Sequence, residues 1–220
     1  MSGYKKNNMS CKVNFCLLYF TIIIILPTFY SCTKHGRWSK EWEEKFESFQ
    51  PSDKIMDIVG VRSGMHVGEI GAGNGRFAVK VAATVGNNGM VYANDIDPRA
   101  IRFMKRRCKR EQIDNMKVIQ SDQVQSGFPK GKLDIVYLIN TYDHLTNPVT
   151  LLRNTLISLK PDGRLAVISY DPDKLQNHKG HAVSMKTIIE QCRQAGFELV
   201  SIDKTFLYDN VYVFKISESR

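Results

Sequence analysis

Residues 65–77, MHVGEIGAGNGRF, carry an acid and three glycines at a spacing that suits ligand binding. Gly71, Gly73 and Gly75 alternate directly after a short apolar run, and Glu69 stands two positions ahead of the first. Without Cβ atoms, the backbone there can lie against a ligand. A helix starting after the loop would aim its first-turn amides at the same place. The spacing is G-x-G-x-G. A dinucleotide fingerprint would need its third glycine at position 76, which is Arg76. A second candidate follows in MVYANDID: Asp95, twenty residues after Gly75, closes an apolar strand pattern. A carboxylate there can accept both hydroxyls of a ribose. Asp97 is a near alternative, although its place before Pro98 suits a helix N-cap.

These residues need elements to hold them. From residue 65 the pattern alternates between strand and helix. MHVGEI, MVYAND, MKVIQSD, LDIVYLIN and RLAVISYD read as strands. Helical spacing separates them in NGRFAVKVAATV, PRAIRFMKRRCKREQ and NPVTLLRNTLISLK, with PDG as a turn. SMKTIIEQCRQAG is a further helix, closed by Gly196. FELVSIDK and NVYVFKIS end the chain as strands too close for a crossover helix, so they should pair antiparallel. The expected fold class is α/β, a doubly wound, Rossmann-like, seven-stranded sheet, mostly parallel with one C-terminal antiparallel strand. In such sheets ligands sit beyond the carboxyl ends of the strands. That rim holds the glycine loop, Asp95, Ser121, Asp122 and the LINTYDHL stretch.

The order VGEIGAGNGRF, VYANDIDP, VIQSDQ, LDIVYLINTYDHLTNPVTLLRNTLISLKPDGRLAVISYDP and HAVSMKTIIEQCRQAGFELV resembles the class I S-adenosylmethionine-dependent methyltransferases over residues 51–217. The resemblance implies S-adenosylmethionine as cofactor. It implies that Glu69 and the loop of Gly71, Ala72, Gly73 and Gly75 hold the methionine part. Asp95 would take the ribose hydroxyls, with Ile96 against the adenine. Asp122 would reach the adenine amine with Gln123 beside it, and Asn140 would line the cofactor near the reacting methyl. Two positions depart from the family's usual pattern. Asn74 stands where Thr or Ser is frequent, and Asp162 where PGG is usual.

Methyl transfer needs a base only if the nucleophile holds its proton. The candidates after the fourth strand are Tyr142, Asp143 and His144, with His144 and Tyr142 taken as the catalytic pair. His144 is the candidate of the residue type that serves as a base in many enzymes, and its bland reading is a hydrogen-bonded loop histidine. His178 and His181, in LQNHKGHAVS, fall in a region where related enzymes place substrate contacts; two loop histidines three apart do not make a metal site.

The chain has 220 residues and a net charge of +9. Residues 1–31 read as a signal peptide or membrane anchor: Lys5, Lys6 and Lys12 flank the apolar VNFCLLYFTIIIIL, fourteen residues long. TFYSC then resembles a bacterial lipoprotein site at Cys32. The expected location is therefore at a membrane, as a lipoprotein or an N-terminally anchored protein, with the cytoplasm as the alternative. Residues 32–60 form a linker and an amphipathic helix, and residues 61–220 the main domain. In that helix Trp38, Trp42, Phe46 and Phe49 share one face, either packed on the domain, covering a pocket or touching a membrane. KRRCKR, on a helix, reads as charges spread around a cylinder, and no nucleic-acid partner is expected. The substrate expected is a small molecule or lipid. The alternative is a cofactor-binding lipoprotein without activity. A nucleotide-dependent oxidoreductase is disfavoured by the glycine spacing and the closing strand pair.

Overall fold

The computed structural model describes residues 38–175 and 182–218. The described residues belong to one compact unit. It opens with helices α1 (Lys40–Phe49) and α2 (Ser52–Val59). There follow β1 (His66–Ile70), α3 (Ala78–Val85), β2 (Met90–Asp95), α4 (Pro98–Glu111), β3 (Met116–Gln120) and β4 (Leu133–Ile139). The chain continues with α5 (Pro148–Thr155), β5 (Leu159–Tyr170), α6 (Met185–Gln194), β6 (Phe197–Asp203) and β7 (Asp209–Ile216). Among the described residues no helix is long and apolar enough to cross a membrane.

The strand order is β3-β2-β1-β4-β5-β7-β6. β1 to β5 run parallel, and β7 lies antiparallel between β5 and β6. The seven-stranded expectation and the antiparallel closing pair both hold. The reversal of order at β1 and β4 opens a crevice over their carboxyl ends, where the glycine loop begins. β4 is buried on both faces because helices cover both. Val67, Ile135 and Ala166 pack on one side with α2 and α3. Leu138, Leu165 and Phe214 pack on the other with α5 and α6.

Four expectations need correction. PDG is no turn between elements. It lies within β5 as a bulge, where Leu133 pairs with Leu159 and Ile135 next pairs with Arg164. Residue 60 is not a structural boundary, because Ile55, Met56 and Val59 of α2 are buried in the main core. The helix after the glycine loop starts at Ala78 rather than Asn74, since residues 74–77 form turns that carry the loop to the helix. The charges of α4 do not spread around the helix: Ala100, Ile101, Met104 and Arg107 turn inward, and the other basic residues share the opposite face. Residues 1–31, Cys32, His178 and His181 lie outside the described residues.

Candidate functional site

The carboxyl ends of β1, β2 and β4 meet in a cavity of about 540 Å³, a size typical of small-molecule sites. Its first wall is the glycine loop. Gly71 and Gly73 have φ of 73° and 58°, a region that costs side-chain-bearing residues. A Cβ at Gly71 would strike Thr141, whereas one at Gly73 would meet nothing within 4 Å and would enter open space. Gly73 is therefore bare toward the cavity and Gly71 bare toward the fold. Gly75 does not line the cavity; it packs on Met104. Its place in the motif serves the loop's packing.

Asn94 and Asp95, at the end of β2, hold the loop in shape. Gly71 N–H donates to Asn94 Oδ1 at 3.1 Å, and Ala72 N–H to the Asn94 carbonyl at 2.7 Å. Gly73 N–H donates to Asp95 Oδ2 at 2.8 Å, and Asp97 N–H to Asp95 Oδ1 at 2.8 Å. The Asp95 carboxylate is thus oriented through both oxygens and keeps lone pairs for a ligand. Asp97 caps α4 by accepting from Arg99 N–H at 2.8 Å. Beside them lie Ile96, half exposed, and Asp122 and Gln123. Asp122 Oδ1 is engaged by Val124 N–H and Gln125 N–H, at 2.8 and 2.7 Å. Gln123 Oε1 accepts from Thr146 at 3.3 Å.

Glu69 forms the floor. It is 1% exposed, and Tyr137 O–H donates to its Oε2 at 2.7 Å. Burial pushes its carboxyl up to about 8, against the pull of Tyr137 and Arg76. Asn140, with φ 51°, lines the same cavity and exchanges carboxamide hydrogen bonds with Gln50 at 3.2 and 3.4 Å. Gln50 also accepts from buried Arg76. Sequence reasoning passed over Gln50, Arg76 and Asn94. Only Asn94 had a local signal, its neighbourhood to Asp95.

The catalytic candidates separate. His144 lines the cavity, its side chain 64% exposed and its Nε2 3.8 Å from Asp143 Oδ2. Tyr142 does not line it: its ring is 2% exposed, and its hydroxyl donates to Gln191 of α6 at 3.0 Å. Burial holds that phenol well above its usual range. The short 3-10 turn of residues 142–144 rotates Tyr142 into the core and leaves Asp143 and His144 on the cavity. Tyr142 is therefore a packing residue. Tyr142→Phe should leave cofactor affinity unchanged within twofold and cost about 1 kcal/mol of stability, read by urea denaturation. A variant of wild-type stability that lost cofactor binding would contradict this placement.

Trp42 and Phe46 of α1, with Trp38 just ahead of the helix, supply the facing wall, so the pocket-covering reading of that segment applies. The helix has no buried residue and is held by ring contacts, Phe49 on Tyr208 at 5.3 Å and Arg76 over Phe46 at 5.2 Å, together with ion pairs. Arg107 of α4 grips Glu43 at 2.6 and 3.0 Å, and Lys80 of α3 holds Glu47 at 2.9 Å. Asn74 Nδ2 donates to Glu43 Oε1 at 2.5 Å, so the Asn at this position ties the glycine loop to α1. The chain's only two tryptophans are Trp38 and Trp42. Saturation with S-adenosylmethionine should therefore shift or quench the intrinsic emission. An unchanged spectrum at saturation would place α1 away from the cofactor.

The residues fit S-adenosylmethionine on the structure's own terms: a carboxylate set for a diol, a bare loop opening on the cavity, and a buried acid below it. Comparisons agree. Residues 61–208 match the family model for a methyltransferase domain. A ubiquinone/menaquinone biosynthesis C-methyltransferase of Pseudomonas putida is 30% identical over 116 residues, 52% of this chain and 45% of that protein. The 27-O-demethylrifamycin SV methyltransferase of Amycolatopsis mediterranei is 25% identical over 135 residues, 60% of this chain and 49% of that protein. The chain thus spans about half the length of the curated relatives it matches. Among solved structures, a SAM-dependent methyltransferase from Aquifex aeolicus shares the fold with a TM-score of 0.73 and 20% identity, covering 81% of this chain and 99% of that one. On fold, loop and family match together, the chain belongs to the class I methyltransferases, the family whose cofactor is S-adenosylmethionine.

Proposed function

We propose that this protein methylates a small-molecule or lipid acceptor bound at the far end of the same cavity. The observation that carries the reading is the cavity's continuation past the glycine loop to Asn140, Asp143, His144 and Tyr170. The cofactor supplies a methyl group already activated on a sulfonium. The protein's work is then alignment, which can account for much of the rate. Asp95 and the loop set the cofactor's position. Trp42 and Phe46 offer an apolar wall for a flat or greasy acceptor. His144, exposed at the mouth, is placed to take a proton from an acceptor hydroxyl or amine. Relatives named for ubiquinone/menaquinone biosynthesis and for 27-O-demethylrifamycin SV support acceptors of this class. Residues 1–31 are read as the membrane tether, which suits a lipid acceptor.

The test is calorimetric titration with S-adenosylmethionine and NAD in parallel. Transfer of labelled methyl to phenolic and quinol acceptors, with and without an isoprenoid tail, follows. Micromolar binding of S-adenosylmethionine alone and turnover of any acceptor support the reading. Tight binding with no transfer to any of them would favour the second reading, a cofactor-binding protein without activity.

A further inference from the structure

We propose that the outer face of α4 docks on an anionic lipid bilayer. Arg99, Arg102, Lys105, Arg106, Lys109 and Arg110 are all exposed. At 100° per residue they fall within an arc of about 140°. The helix holds one acid, Glu111, whose carboxylate is taken by Arg107 and Arg110 at 3.1 and 2.7 Å. Asp97 is engaged by Arg99 at 3.1 Å. Arg102, Lys105, Arg106 and Lys109 have no ion-pair partner among the described residues. A folded domain gains little from so many like charges on one short face, since they repel one another. A surface of anionic headgroups would neutralise them.

The course of the chain favours a bilayer over another polyanion. Trp38, the first described residue, packs its ring on Phe103 of α4 with centroids 5.2 Å apart. The described chain therefore begins against α4. Eleven residues separate it from Leu26, the last of the apolar run, and they hold Lys34 and Arg37. Fully extended, that linker reaches roughly 40 Å. If residues 13–26 enter a bilayer, which is the tether reading above, α4 is confined near the headgroups. Four to eight clustered basic residues beside a membrane segment are the pattern read by anionic lipids. On RNA aromatics interleaved with the basic residues would be expected to stack bases; here Phe103 stands at the edge of the arc with its ring packed against Trp38, and none lies within the arc.

The experiment uses the full chain with vesicles of phosphatidylcholine, with or without about a third phosphatidylglycerol. Flotation reads total binding, and acetylation of the Lys105 and Lys109 amines reads the α4 face. Expected is severalfold protection of both lysines on anionic vesicles only, lost in high salt. An Arg102→Glu/Arg106→Glu chain, which keeps both lysines, should lose that protection, and the salt-sensitive part of its binding should fall about 100-fold. Its affinity for S-adenosylmethionine should not change, which shows that it folds. Flotation on anionic vesicles alone, with the lysines protected, would sink the tether reading and leave the docking face standing. Equal lysine reactivity on both vesicle types would overturn the proposal. So would protection by RNA without lipid when anionic vesicles give none, which would assign the face to nucleic acid.

Discussion

Asp95→Ala should lower affinity for S-adenosylmethionine by at least about 100-fold while the domain stays folded. Two hydrogen bonds to a carboxylate, at roughly 1.5–3 kcal/mol each, account for a loss of that size. The same carboxylate also holds Gly73 N–H at 2.8 Å, so its removal loosens the loop that faces the ligand. Asp95→Asn separates the two effects. Its carboxamide oxygen can still accept from one N–H, but it accepts from a diol only weakly. Its loss should be intermediate and the loop should remain ordered. Calorimetry reads both affinities, and thermal unfolding reports the fold. Binding by Asp95→Ala within threefold of wild type would show that the end of β2 does not hold the cofactor.

The stability of the ligand-free protein should fall as pH rises from about 4.5 to about 8, and Glu69→Gln should flatten that slope. In the folded state burial pushes the Glu69 carboxyl from 4.5 up to about 8. Below 4.5 both folded and unfolded chains hold the proton. Between the two values the folded chain keeps a proton that the unfolded chain has lost, so each step up in pH favours unfolding. The stabilisation is complete below the unfolded value and gone above the folded one. Integrated across the window, this is on the order of 4–5 kcal/mol. The carboxamide that Glu69→Gln introduces carries no charge and can still accept from Tyr137, so stability should vary little between pH 6 and 8; below that window the buried Asp209 carboxyl, pushed up to about 6, still contributes a slope in both proteins. Urea denaturation across that range decides the matter; equal slopes in the two proteins would remove Glu69 as their source. A bound cation beside Glu69 would draw the proton off. Titration with S-adenosylmethionine near neutral pH should therefore release close to one proton in wild type and none in the variant, measured in buffers of different ionisation enthalpy.

Much of this protein was legible in its residues because the signals are local. Strand and helix periods alternate, the glycines mark where backbone meets ligand, and Asp95 ends the next strand. Each is a pattern a few residues long, set by backbone sterics and by which side chains must be buried. The antiparallel closing strand was legible too, since too little chain separates β6 from β7 for a crossover. The periodicity that gathers the charges of α4 on one face was also present, in the apolar residues of that helix. Tertiary structure decided the rest. Which of residues 142–144 faces the cavity depended on a short turn packing Tyr142 onto α6, a neighbour 49 positions away. The short apolar pattern of α2 became core only when β7 and α3 closed over it. The Glu43–Arg107 pair spans 64 positions, and Gln50 and Asn140 stand 90 apart. A single sequence carries no local trace of such pairs, because side-chain hydrogen bonds act over about 3 Å and the fold alone brings the partners that close.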